Sequence, residues 1–149
     1  DGRSGADVSR DGVNRYESLE QLVSNNDVIS VHVPHEAETE HMFNDTIFSK
    51  FRSGAYFINT SRGELVDWNA LLKHLKNKHL GGAALDVFEG EYQQNFHNSF
   101  PKHPILQYAR ENQNLILTPH IGGSTYDAWA KTEAHTIEMA NNFLKKSNR

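Results

Sequence analysis

Short runs of consecutive apolar residues alternate along the chain with stretches whose apolar positions recur at helical spacing. Val28 to Val33, Tyr56 to Asn59, Ala83 to Val87 and Leu115 to Thr118 are the continuous runs. Largely apolar runs of that length predict strands covered on both faces. The intervening stretches read as helices. "SLEQLV" offers Ser18 as N-cap with Gln21 three residues on, a capping-box arrangement. Asn44 or Asp45 is placed to cap a helix running through Phe51. After Asp67, the residues Trp68, Leu71, Leu72 and Leu75 fall at i, i+3, i+4 and i+7, and Gly81-Gly82 marks the stop. A long helix is expected from residue 124 to about 145, with Ala130, Ala134, Ile137 and Leu144 on a shared face. Trp68 and Trp129 both stand at helical core spacing. Residues 89 to 113, rich in Gln, Asn, His and Pro, read as a long irregular excursion. Strands alternating with helices in this way predict an α/β fold around a parallel sheet.

Composition narrows the function classes more than it adds to the fold. With 37% hydrophobic and 23% charged residues, the 149-residue chain has the make-up of one ordinary globular domain. A net charge of −4 gives no basic footprint for nucleic acid or for an anionic membrane surface. The absence of Cys removes disulfides, thiolate chemistry and Cys-based zinc sites, and it fits a reducing compartment. No apolar run approaches the roughly 18 residues of a membrane-crossing helix, and no leader pattern opens the chain. A cytoplasmic setting is the expectation. Because the first residue is Asp and not Met, the chain is expected to be a piece of a longer protein.

In open α/β sheets ligands bind outside the carboxyl ends of the strands. Four chemistry-bearing residues are expected there. Arg62 follows the second run in "NTSRG", Asp86 ends the third and leads into "VFEGE" with Glu89 and Glu91, and His120 follows the fourth in "TPHIGG". Histidine exchanges a proton near neutral pH, and a neighbouring carboxylate orients its ring. Arginine offers a rigid two-pronged donor to a carboxylate or a polarised carbonyl. Together they suit a 2-oxo acid whose carbonyl oxygen is protonated while its carbon receives hydride from a cofactor. Each residue also has a plainer reading. A surface Arg is usually solvated, Asp86 fits a turn cap, and an acidic loop accounts for Glu89 and Glu91 equally. His32, His35 and His41 hint at metal, but "HEAETEH" lacks the i, i+4 His pair of a zincin helix. No metal site is expected.

"DVISVHVPHEAETEHMFND", "GAYFINTSRGELVDWNALLKHL", "GGAALDVFEGE" and "LILTPHIGGST" occur here in order. They resemble the second half of the NAD-binding domain of the D-isomer-specific 2-hydroxyacid dehydrogenases, and "HIGGST" leans toward the phosphoglycerate dehydrogenase branch. The resemblance implies that Arg62 binds the substrate's carboxylate and carbonyl, that His120 is the general acid and base, and that Glu91 is its partner. The family pattern is Asp-Val-Phe-Glu-Pro-Glu with the second Glu catalytic; here Gly90 replaces the Pro, which makes Glu89 the tempting wrong choice. On the cofactor side the resemblance implies Val33, Pro34, Thr39 and Thr60, with Asp86 facing the nicotinamide carboxamide. It further implies NAD as cofactor, a small 2-hydroxy or 2-oxo acid as partner, and a homodimer, for which the spacing supplies no interface.

The departures from the family are equally specific. "DGRSGADVSRDG" lacks the GxGxxG spacing that cradles a pyrophosphate, and Asp1 is only a guess for the ribose acid. The expectation is therefore an incomplete Rossmann-type parallel sheet over residues 1 to 149, lacking two strands and the glycine-rich loop. Residues 124 to 149 would form a connecting helix toward a substrate domain. The strand at 28 to 33 would pair directly with that at 56 to 59, or borrow neighbours from elsewhere. The expected function is an oxidoreductase, or a piece of one, moving hydride between NAD and a D-2-hydroxy acid such as 3-phosphoglycerate, inactive by itself. The alternative is a non-catalytic NAD-responsive binding or dimerisation module, or an inactive remnant.

Overall fold

Four short strands form one all-parallel sheet in the order β1-β2-β3-β4 in the computed structural model, which describes residues 14–147. They are β1 (Val28–Val31), β2 (Tyr56–Asn59), β3 (Gly82–Leu85) and β4 (Leu115–Leu117). β1 pairs directly with β2, as expected. Val31, Asn59, Leu85 and Leu117 lie in register across the sheet, so all four strands end along a common line.

Before β1 comes α1 (Leu19–Asn25), capped by Ser18, whose hydroxyl accepts from the Gln21 amide. The Gln21 side chain reaches back one residue further than a capping box requires, to the Glu17 amide. Asn44 caps α2 (Asp45–Phe48), which is a single turn and does not run through Phe51. Asp67 caps α3 (Trp68–Lys76) by accepting from the amides of Asn69 and Ala70. This helix stops at Asn77 and Lys78, the latter in the left-handed region at φ 59°, and not at the Gly81-Gly82 pair. Those glycines instead permit close strand packing, since a Cβ at Gly81 would stand 2.4 Å from the Gly54 carbonyl oxygen. The core lies between α1–α3 and one face of the sheet, where Phe43, Phe48, Phe51 and Phe57 pack ring against ring.

Three expectations are corrected. Residues 89–113 are not irregular throughout: they contain α4 (Phe96–Ser99), a 3-10 turn (Phe100–Lys102) and α5 (Pro104–Glu111). His103 caps α5 through Nδ1, which accepts from the Ile105 amide. Burial depresses the His103 pKa, with Glu89 acting weakly the other way, and a neutral ring suits that acceptor role. Second, among the described residues the strands are covered on one face only. Ile29, Val31, Phe57, Leu85 and Leu115 are buried, whereas Val28, Tyr56 and Ile116 on the opposite face are more than half exposed. Continuous apolarity says that a strand is apolar on both sides; it does not say what covers each side. Third, α6 (Tyr126–Ser147) is long as expected, but Trp129, Ile137 and Leu144 are exposed and belong to no core within the described residues. Among the described residues no helix is long and apolar enough to cross a membrane.

Candidate active site

The residues that follow the four strands converge because the strands end in register. Asn59, the last residue of β2, is buried. Its amide nitrogen donates to the Arg62 carbonyl (2.7 Å) and its Oδ1 accepts from the Ser61 amide (3.0 Å). A side chain inside the sheet thereby fixes the turn that presents Arg62. The Arg62 side chain is exposed, donates through Nη1 to the Ser61 carbonyl at 2.6 Å, and makes no ion pair among the described residues. It lines a cleft of about 590 Å³ together with His32, Val33, Pro34, His35, Ser61, Glu64 and Tyr92.

Asp86 holds the loop after β4. Its Oδ1 accepts from the Thr118 hydroxyl and from the Ile121 amide, and its Oδ2 from the Gly122 amide at 2.7 Å. A Cβ at Gly122 would stand 2.9 Å from that same oxygen. Burial pushes the Asp86 pKa up, but Thr118, the two amides and the nearby His120 together outweigh burial and hold it below the ordinary carboxylate value. The plainer reading of Asp86, a cap, thus describes what its oxygens do here. A depressed carboxylate pKa contributes stability above the unfolded-state value and loses it as pH falls through the folded one. Asp86→Asn is therefore expected to destabilise the chain at pH 7 by about 1.5–3 kcal/mol, the scale of hydrogen bonds to a charged group. The gap in urea midpoint between the variant and the unmodified chain should begin to narrow below about pH 4 and close only as pH falls through the depressed folded-state value; a gap that is constant with pH would contradict the charged role.

Held by that loop, His120 sits in the left-handed region at φ 53°. Its Nδ1 lies 2.7 Å from Glu91 Oε1, and the Glu91 side chain is only 10% exposed. The Tyr92 hydroxyl approaches the same nitrogen at 3.4 Å. Glu89 points elsewhere and pairs with His41 at 3.1 Å in solvent. Gly90 explains the departure from the Pro of the family pattern. It adopts φ 68° and donates its amide to Glu64 Oε1. Proline can do neither.

Among the other residues singled out, Val33 is half-buried against the core, while Pro34 and Thr60 are exposed. Thr39 holds the turn after Pro34, its hydroxyl donating to the Pro34 carbonyl and accepting from the Glu36 amide. "DGRSGADVSRDG", and Asp1 with it, lies outside the described residues. No group of three or more His, Asp or Glu able to hold a metal occurs among the described residues. A dinucleotide fits what is present: an open cleft of that volume along the strand ends, with an apolar wall at Val33 and Pro34 and a cation at Arg62. Sequence reasoning missed Asn59, Glu64 and Tyr92. Asn59 did carry a signal, a polar residue closing an apolar run just before "TSRG".

Residues 2–122 match the model of the family described as D-isomer specific 2-hydroxyacid dehydrogenase, NAD binding domain. The chain is 38% identical over 131 residues to the D-specific alpha-keto acid dehydrogenase of Enterococcus faecalis, covering 86% of this chain and 41% of that protein. It is 41% identical over 131 residues to the D-3-phosphoglycerate dehydrogenase of Haemophilus influenzae, covering 88% of this chain and 30% of that one. The structure of a D-lactate dehydrogenase from Aquifex aeolicus, complexed with NAD and lactic acid, superposes with a TM-score of 0.74 at 33% identity, covering 98% of this chain and 45% of that one. The chain thus spans less than half the length of each of these proteins.

Proposed function

The chain belongs to the D-isomer specific 2-hydroxyacid dehydrogenase family through that family's NAD-binding domain, and from this membership we propose that it supplies the catalytic edge of an oxidoreductase interconverting a D-2-hydroxy acid and its 2-oxo acid. The observation that carries the reading is the Glu91–His120 pair at 2.7 Å beside a turn that offers Arg62. A carboxylate at Nδ1 accepts a hydrogen bond from the N–H there, which fixes the tautomer and leaves Nε2 for the reacting group.

In the direction of reduction, the guanidinium of Arg62 grips the carboxylate of the 2-oxo acid and polarises its carbonyl. His120 gives a proton from Nε2 to the carbonyl oxygen as the carbon is reduced, and takes that proton back in the reverse direction. Glu91 keeps the ring oriented and stabilises the imidazolium before the proton leaves. NAD, when bound, supplies or accepts the hydride, chemistry no side chain can carry. Val33, Pro34, Thr39, Thr60 and Asp86 are assigned to its side of the cleft, Thr39 and Asp86 acting partly through the turns they hold.

Calorimetric titration with NADH, followed by NADH oxidation assays with 2-oxo acids, tests the reading. Turnover with a 2-oxo acid is expected from a longer protein that carries this chain, and none from the 149 residues by themselves, whose glycines form no GxGxxG turn. A longer protein that binds NADH but turns over no 2-oxo acid would overturn the proposal.

A further inference from the structure

A second cleft, of about 640 Å³, is lined in part by His120. Its lining is largely aromatic and aliphatic, with Phe88, Phe96, Phe100, Leu106 and Leu117, and its ionisable side chains besides Tyr92 are Glu91, His97 and His120. The rings form one packed set, Phe96 stacking on Phe100 at 4.8 Å and Phe88 meeting Phe100 edge-on at 4.7 Å. Trp68 backs Phe88 at 5.6 Å. This wall is built by α4 and the turn that follows it, in the stretch whose composition gave no expectation of structure. Tyr92 alone lines both this cleft and the one holding Arg62, so the two meet at that residue.

We propose that this cleft receives the side chain of the 2-oxo acid, and that the preferred substrates carry an aromatic or large aliphatic group in place of a phosphate. The inference rests on the reading above, in which Arg62 takes the carboxylate and His120 faces the carbonyl. With those two ends fixed, the group beyond the carbonyl enters the neighbouring space, and that space is apolar. Among the described residues no Lys or Arg lines it; its one carboxylate, Glu91, is paired with His120, and its other imidazole, His97, is exposed, so a phosphate there meets no fixed cation. A ring gains by leaving water for a wall of Phe and Leu and by edge or offset contact with Phe96 and Phe100.

Calorimetric titrations of the chain with D-phenyllactate, D-lactate and D-3-phosphoglycerate decide the matter, repeated on Phe96→Ala and Arg62→Ala. Phe96 is the wall residue to change because it is half-buried and borders open space; circular dichroism checks that each variant folds. D-phenyllactate is expected to bind at least tenfold more tightly than the other two, about what a well-placed apolar group contributes to discrimination. Phe96→Ala should remove most of that advantage while lactate binding holds, and Arg62→Ala should weaken all three. Equal or tighter binding of 3-phosphoglycerate, no binding of any of the three, or a Phe96→Ala variant that keeps the phenyllactate advantage would overturn the proposal and leave the Arg62 reading to its own variant. If Arg62→Ala weakens none of them, the reading beneath falls as well.

Discussion

An alanine at position 63 is expected to damage both stability and activity, although it adds one methyl group. Gly63 follows Arg62, and a Cβ there would stand 2.1 Å from both the Phe88 carbonyl carbon and the Glu89 nitrogen. Both are backbone atoms, so no side chain can swing away, and one of the two loops must move by more than 1 Å to restore ordinary contact. The Trp68 indole also donates to the Gly63 carbonyl, which ties the turn to α3. Overpacking of this kind costs roughly 1–3 kcal/mol, and Gly63→Ala should fall at the upper end. The displaced backbone is the segment that carries Glu91, so NADH-dependent turnover of the longer protein should drop by about 100-fold as well, the scale of a 1 Å misplacement at a reacting centre. Gly123→Ala is the matched control, since nothing lies within 4 Å of its added Cβ; its unfolding free energy from urea titration should stay within about 0.5 kcal/mol of the unmodified chain. An unchanged midpoint for Gly63→Ala would show that the two loops do not approach as described.

The convergence of the candidate site residues at the strand ends was legible because it depends on features that sequence carries directly. Apolar runs fix where strands end, and Arg62, Asp86 and His120 each follow one of those ends within a few positions. The choice of Glu91 over Glu89 came from the family pattern; in the structure Glu91 meets His120 and Glu89 meets His41. What was illegible is how the loops are held. Asp86 grips amides at positions 121 and 122, and Glu64 grips the amide of Gly90. Partners 26 to 36 residues apart leave no local pattern.

The elements that were misread have separate physical causes. α5 was hidden because Pro104 looks like loop punctuation, yet at the first helical position proline loses nothing. Its cap, His103, lies outside the usual set of Ser, Thr, Asp and Asn. α6 shows true helical spacing, but spacing reports an apolar stripe without reporting a partner, and Trp129 is exposed while Trp68 is buried. The same limit applies to Val28, Tyr56 and Ile116 on the open face of the sheet.

Glu91→Gln is expected to cost the largest share of turnover of any change that preserves shape. A carboxylate accepts only, so it selects the ring with hydrogen on Nδ1 and leaves Nε2 to exchange protons with the substrate. A glutamine amide can donate to Nδ1 just as readily, which places the proton on the wrong nitrogen. It also withdraws the charge that balances the imidazolium before proton transfer. Loss of a carboxylate in this role lowers turnover by about 10²–10⁴-fold. Glu89→Gln is the control two residues away: its carboxylate pairs with His41 and is 44% exposed. Exposed pairs contribute little, so its turnover should stay within about threefold of the unmodified protein, allowing for a change worth some 0.6 kcal/mol. Steady-state NADH oxidation with one 2-oxo acid, measured on both variants of the longer protein, separates the two carboxylates. Were Glu89→Gln the slower enzyme, the pairing at 2.7 Å would be structural and the catalytic assignment of Glu91 would fail.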